Sequence, residues 1–209
     1  MSDPNQRIYH NKVSLAGLGI EVRGRSTRLT INYRTTQEIL VWAVRMLAGR
    51  PSDGLDGVPD TLAGYRSPVH SRHPAVHAYP DWQTELNGIV DQVRNWLSAG
   101  VEPHAIGVAA RTTGRASTIR SALRDADLPD DLRVTTMHGM KGMEFRCVAV
   151  AGVSAGSIPE PAAVAAVDDD PIAHDQDIHR ERCLLFVACT RARDALTISY
   201  SGPPSPFLS

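Results

Sequence analysis

Residues Thr136-Met137-His138-Gly139-Met140-Lys141-Gly142-Met143-Glu144-Phe145 bring a hydroxyl, an imidazole, an ammonium and a carboxylate together, beside glycines that let backbone amides approach a ligand. The stretch lies between two β-branched apolar runs, so two strands are expected to hold it out as a functional loop. A second cluster, Leu184 to Arg193, reads as an apolar helix ending in Arg191 and Arg193. Taken alone, it also fits a buried helix with a solvated basic last turn, which the helix dipole favours. The third is Asn32-Tyr33-Arg34, an arginine directly after a short strand pattern. Basic groups at separate strand and helix ends of one sheet can converge on an anionic ligand such as a nucleoside triphosphate.

The elements that must position these groups are legible as alternating patterns. Leu29 to Tyr33 alternates like a strand, and Thr35-Thr36-Gln37-Glu38 has capping-box spacing before Ile39, Leu40, Ala43, Val44 and Leu47, which share a helical face. Asp81 or Thr84 can cap a second helix carrying Leu86, Ile89, Val90, Val93 and Leu97 and ending at Gly100. Ala105 to Ala110 reads as a fully buried strand, and a third helix is expected from about Arg115 to Asp127. The last helix is expected from about Ile178 to Ala192, followed by a strand over Ala195 to Tyr200. Such alternation predicts an α/β fold, a parallel or mostly parallel sheet flanked by helices. Ligand loops of such sheets lie beyond the carboxyl ends of the strands, where the Thr136 to Glu144 loop is expected.

Composition sets the bounds. With 209 residues, 42% hydrophobic and 22% charged, the chain can bury a proper core. A formal net charge of −1 gives no general attraction to nucleic acid, yet residues 1–50 hold 8 basic and 3 acidic side chains, so a local basic face is possible. Cys147, Cys183 and Cys189 form no CxxC pair and are read as reduced core residues of a cytoplasmic protein. His70, His73 and His77 have helical spacing, but Pro68, Pro74 and Pro80 disfavour a helix there, and His77-Ala78-Tyr79 reads better as a strand edge. Asp168-Asp169-Asp170 reads as a solvated loop rather than a divalent-ion site. No stretch approaches the apolar length of a membrane span.

Asn32-Tyr33-Arg34, Thr136 to Phe145 and Leu184 to Arg193 resemble, in order, motifs IV, V and VI of the UvrD/Rep-type superfamily 1 DNA helicases. Asp3-Pro4-Asn5-Gln6-Arg7-Ile8-Tyr9 resembles motif III, typically Gly-Asp-x-x-Gln-x-Ile-Tyr. The resemblance implies a RecA-like second motor domain over residues 29–202, preceded by the tail of another motor domain at 1–28 and followed by a tail at 203–209. It implies ATP with Mg2+ as cofactor and single-stranded DNA as partner. Gln6 would sense the terminal phosphate, Arg34 and Arg191 would reach the γ-phosphate, Gly142 would lie near the phosphates and Glu144 at the ribose. Thr136, His138 and Tyr9 would contact the strand.

The departures bear on function. Nothing resembles the P-loop G-x-x-x-x-G-K-[ST] or an acidic magnesium motif, and Met1 lies inside the motif III resemblance. The expectation is therefore a fragment, an internal start or a truncated gene, acting with an N-terminal P-loop motor domain supplied in cis or as a separate chain. The alternative is a non-catalytic helicase remnant that binds DNA or protein. Ser2, Arg180, Phe186 and Cys189 stand where the motifs usually have glycine, an acidic residue, tyrosine and a larger aliphatic residue. The short gap from Pro129 to Val134 leaves no room for an accessory insertion.

Overall fold

Thr36, Asp81, Thr112 and Asp170 each start an α-helix by accepting a backbone N–H of the first turn on a side-chain oxygen. The helices are α1 (Gln37–Leu47), α2 (Trp82–Ser98), α3 (Thr113–Asp125) and α4 (Pro171–Cys189). The structure is a computed structural model and describes residues 35–47, 52–53, 59–60 and 66–208. Leu29 to Tyr33 and the 1–28 segment lie outside the described residues, as do Gln6, Tyr9 and Arg34.

Strands β1 (Ser52–Asp53) and β2 (Pro59–Asp60) make a short antiparallel ladder. The other strands, β3 (Ala75–Tyr79), β4 (Ile106–Ala110), β5 (Arg133–Thr136), β6 (Phe145–Val150) and β7 (Ala192–Ser201), form one sheet in the order β3-β7-β6-β4-β5. Every pairing in it is parallel, the α/β architecture the alternation predicts. His77 lies in a strand, β3, which stands at one edge of the sheet.

Period-2 alternation divides the core between the two faces. Val148 and Val150 of β6 pack with Ala109, Leu196 and Ile198 against α1 and α4, which contributes Leu184, Leu185 and Val187. Cys147 and Ala149 point the other way, with Val108 and Val134, against Leu86, Ile89 and Val93 of α2 and Ile119 and Leu123 of α3. Each such fully buried aliphatic side chain stabilises the fold by roughly 1.5–3 kcal/mol. After β7, Phe207 joins the first of these clusters and Arg182 stacks over its ring at 4.3 Å.

Three expectations need correction. The capping box is not made: Thr36 caps α1, while Glu38 turns away to accept the Ser71 N–H at 2.9 Å and meet His70 Nδ1 at 2.8 Å. The Ser71 backbone bond, aided by His70, holds the Glu38 carboxyl down to about 2. Second, α4 begins at Pro171, two turns before Ile178, because Asp170 caps it and proline is preorganised for the first helical position. Its first turns are largely exposed, so no apolar periodicity marks them. Third, α4 stops at Cys189, so Arg191 lies in the link to β7 and Arg193 within that strand.

Candidate functional site

The Thr136 to Glu144 loop does not sit at one edge of the sheet. It leaves β5 at the carboxyl edge and enters β6 at the amino edge, passing β4 on the way. Thr136 is level with Ala110, whereas Phe145 precedes Cys147, the partner of Ile106. At about 3.3 Å per residue the two ends are roughly 20 Å apart along the strands. The loop therefore serves two places, which corrects the reading of it as one ligand loop beyond the carboxyl ends.

At the carboxyl edge, the Met137 N–H donates to the Ala110 carbonyl at 2.8 Å, pinning the start of the loop to the end of β4. Thr136 Oγ1 accepts from the Gly139 N–H at 3.2 Å. Gly139 is required for this turn, since a Cβ there would lie 2.2 Å from Thr135 Oγ1. His138 is half-buried, and burial, reinforced by Arg111 and opposed by Glu181, lowers its pKa below the ordinary 6.5. Arg111, directly after β4, donates to both carboxylate oxygens of Glu181 on α4, at 2.8 and 2.7 Å. Glu181 also accepts the Glu160 N–H at 3.0 Å. Between α4 and the 160–165 segment a cleft of about 480 Å3 opens beside Arg111 and His138.

At the amino edge stand Gly142, Glu144 and Arg191. Gly142 has φ +83°, and no atom lies within 4 Å of where its Cβ would be, so backbone can be approached there. Glu144 is exposed. Arg191 is 2% exposed; its Nε donates to the Val187 carbonyl at 3.1 Å and Nη1 to the Met143 carbonyl at 3.5 Å. Its own carbonyl accepts the Phe145 N–H at 3.0 Å, locking the loop's end to the start of β7. Thr35, the residue after Arg34, donates Oγ1–H to the Ala192 carbonyl at 2.5 Å, which ties the lead into α1 to the same edge. The exposed Arg146 and Arg193 share Asp194 beside them.

The structure thus brings Gly142, Glu144 and Arg191 to one edge and Thr136 and His138 to the other. Arg111 and Glu181 were not singled out from sequence; the available signals were an arginine directly following a buried strand and a glutamate just before the apolar run Cys183 to Cys189. Glu85 was also missed. It is wholly buried, and its Oε1 accepts from the Gly152 N–H at 2.7 Å and Ser199 Oγ at 2.6 Å, which holds the turn after β6. The three cysteines are buried and form no disulfide; burial raises the Cys147 thiol to about 11 and also raises that of Cys189, while Cys183 Sγ lies 3.5 Å from His179 Nε2. Among the described residues no group of three or more His, Cys, Asp or Glu side chains could hold a metal, and no helix is long and apolar enough to cross a membrane.

Residues 121–202 match the family model of the UvrD-like helicase C-terminal domain. ATP-dependent DNA helicase UvrD2 of Mycobacterium tuberculosis is 24% identical over 204 residues, 95% of this chain and 27% of that protein. ATP-dependent DNA helicase PcrA of Staphylococcus aureus is 31% identical over 77 residues, 37% of this chain and 10% of that protein. The chain therefore spans about a quarter of the length of its full-coverage relative. The crystal structure of the C-terminal domain of a possible DNA helicase from Lactobacillus plantarum superposes with a TM-score of 0.59 at 20% identity, covering 85% of this chain and 92% of that one. That likeness concerns the fold, a RecA-like α/β sheet with helices on both faces. By the match over residues 121–202 and the ordered motif residues, this chain is similar to UvrD-like helicase C-terminal domains.

Proposed function

We propose that this chain is the ATP-sensing, DNA-contacting motor half of a cytoplasmic ATP-dependent DNA helicase or translocase. The observation that carries the reading is the sorting of the motif residues onto opposite edges of one rigid sheet. Gly142, Glu144 and Arg191 at the amino edge suit a nucleotide held by a facing domain, with the exposed Glu144 carboxylate able to accept from ribose hydroxyls. Thr136 and His138 at the carboxyl edge suit a single strand, with hydroxyl and neutral imidazole as hydrogen-bonding groups. The nucleotide and its Mg2+ would be held mainly by an N-terminal P-loop domain. Arg191, with Arg34, would stabilise charge on the transferring phosphoryl group, an effect typically about 10³ to 10⁵ in rate. Gln6 and Tyr9 would couple the phosphate to the strand. Closure of the two domains would then link hydrolysis to stepping.

The test supplies a P-loop motor domain with this chain and measures ATP hydrolysis with and without single-stranded DNA. DNA-stimulated turnover is expected, and it should collapse in Arg191→Ala while the circular dichroism spectrum is retained. Full turnover in a folded Arg191→Ala would overturn the arginine's role.

A second reading, a non-catalytic DNA-binding module, is favoured by one observation: the Arg191 guanidinium is buried against the Val187 and Met143 carbonyls. It predicts binding to single-stranded DNA that weakens steeply with salt, without any hydrolysis in the presence of a P-loop domain.

A further inference from the structure

We propose that the cleft between α4 and the 160–165 segment receives one nucleobase of the bound single strand, an inference that rests on the strand reading above. The cleft lies at the carboxyl edge and shares His138 with the loop read as the strand contact. A strand whose phosphates pass Thr136 therefore has a recess beside it into which a base can turn. Its volume of about 480 Å3 lies within the range of small-ligand sites.

The chemistry of the walls decides between a base and a phosphate. Two guanidiniums face the cleft, but each is already matched by a carboxylate: Arg111 by Glu181, and Arg180 by Asp177. His138 resists protonation because it is half-buried next to Arg111. The lining thus carries no net charge, and a phosphate would lose its hydration without gaining an unmatched cation. A nucleobase is neutral and flat, with donors and acceptors on its edge. It can stack on a guanidinium plane and bond to imidazole or carboxylate. The remaining lining suits its faces, with Ala162, Ala163 and Val164 on the connecting segment and Leu184 on α4.

This wall is built to stay in place. Ala165 is clipped to α4 at both its backbone groups: its N–H donates to Asp177 Oδ2 at 2.9 Å, and His174 Nδ1 donates to its carbonyl at 2.8 Å. On the same segment, the Glu160 N–H donates to Glu181. The cleft is therefore preformed, which lowers the ordering cost of binding.

The experiment measures binding of the full chain to a fluorescent single-stranded oligonucleotide and to an abasic strand of the same length, at one fixed low salt concentration. The intact strand should bind roughly tenfold more tightly, as expected for loss of a base contact. In Ala163→Trp, which places a bulky ring in the cleft from an exposed position, affinity for the intact strand should fall to the abasic level while abasic binding is unchanged. Ala162→Trp repeats the test from the neighbouring position, and circular dichroism checks that both variants are folded. Equal affinity for intact and abasic strands would overturn the base-binding cleft and leave the strand reading standing. A preference for bases that survives in both folded variants would also overturn it, since the base would be held elsewhere. Absence of binding to either strand would overturn the strand reading and the cleft with it.

Discussion

Arg111 and Glu181, 70 positions apart in the chain, meet in a two-pronged pair, with Nε 2.8 Å from Oε2 and Nη2 2.7 Å from Oε1. The pair fastens the carboxyl end of β4 to α4, and the chain leaving that helix delivers Arg191 to the opposite edge of the sheet. The 160–165 segment is tied to the same helix through the Glu160 N–H to Glu181 and the Ala165 N–H to Asp177.

Removing one partner of this pair is expected to cost more than removing both. Their side chains are only 12% and 6% exposed, so Glu181→Ala leaves a buried cation and should reduce stability by roughly 3–5 kcal/mol. The double variant Arg111→Met with Glu181→Met should lose far less. Urea unfolding midpoints of the three proteins check this, and equal losses in the single and double variants would refute it.

Gly107 is the second residue of β4, where an added Cβ would lie 2.7 to 2.9 Å from ring atoms of Phe145. Phe145 is 7% exposed and held by its backbone bond to Arg191, so the ring has little room to yield. Gly107→Ala is therefore expected to destabilise the chain by roughly 1–3 kcal/mol, the range for overpacking. Adding Phe145→Leu should recover part of that loss in thermal or urea unfolding.

His138 makes stability fall on the acid side. Its folded pKa lies below the ordinary 6.5, so as pH drops the unfolded chain takes up a proton that the folded site resists. The contribution is fully present above about pH 6.5 and is lost as pH falls through the lowered value. His138→Asn should flatten the decline of urea midpoints below pH 6.5; an unchanged slope would show that other groups cause it.

Asp170 accepts two N–H bonds at the start of α4, from Ile172 at 3.0 Å and Ala173 at 2.9 Å. Asp170→Ala should cost about 1 kcal/mol and fray the first turns, which hydrogen exchange at Ala173 and His174 would detect. Asp170→Asn should retain most of the capping, because its side-chain oxygen still accepts.

Strand and helix order was determined by the sequence alone, because burial on one face leaves a period of 2 or 3.6 in local composition. Leu86 to Val93 and Ile119 to Leu123 carry that mark, whereas Ile106 to Ala110, buried on both faces, reads as an unbroken apolar run. The family resemblance was also legible, since motif residues keep their types and their order. Where burial was absent the signal failed: the exposed first turns of α4 left no periodicity, although Asp170-Pro171 carried a capping signature.

Only the tertiary structure decided which groups share a place. Thr136 and Glu144 are close in sequence, yet lie at opposite edges because β5 and β6 run parallel, so the chain between them must cross from the carboxyl to the amino edge. Arg111 and Glu181 are distant in sequence, yet form the buried pair beside the cleft. Local patterning records whether a side chain faces the core or solvent. It carries no information about strand order, which sets the neighbours each loop passes and the distant residues it meets.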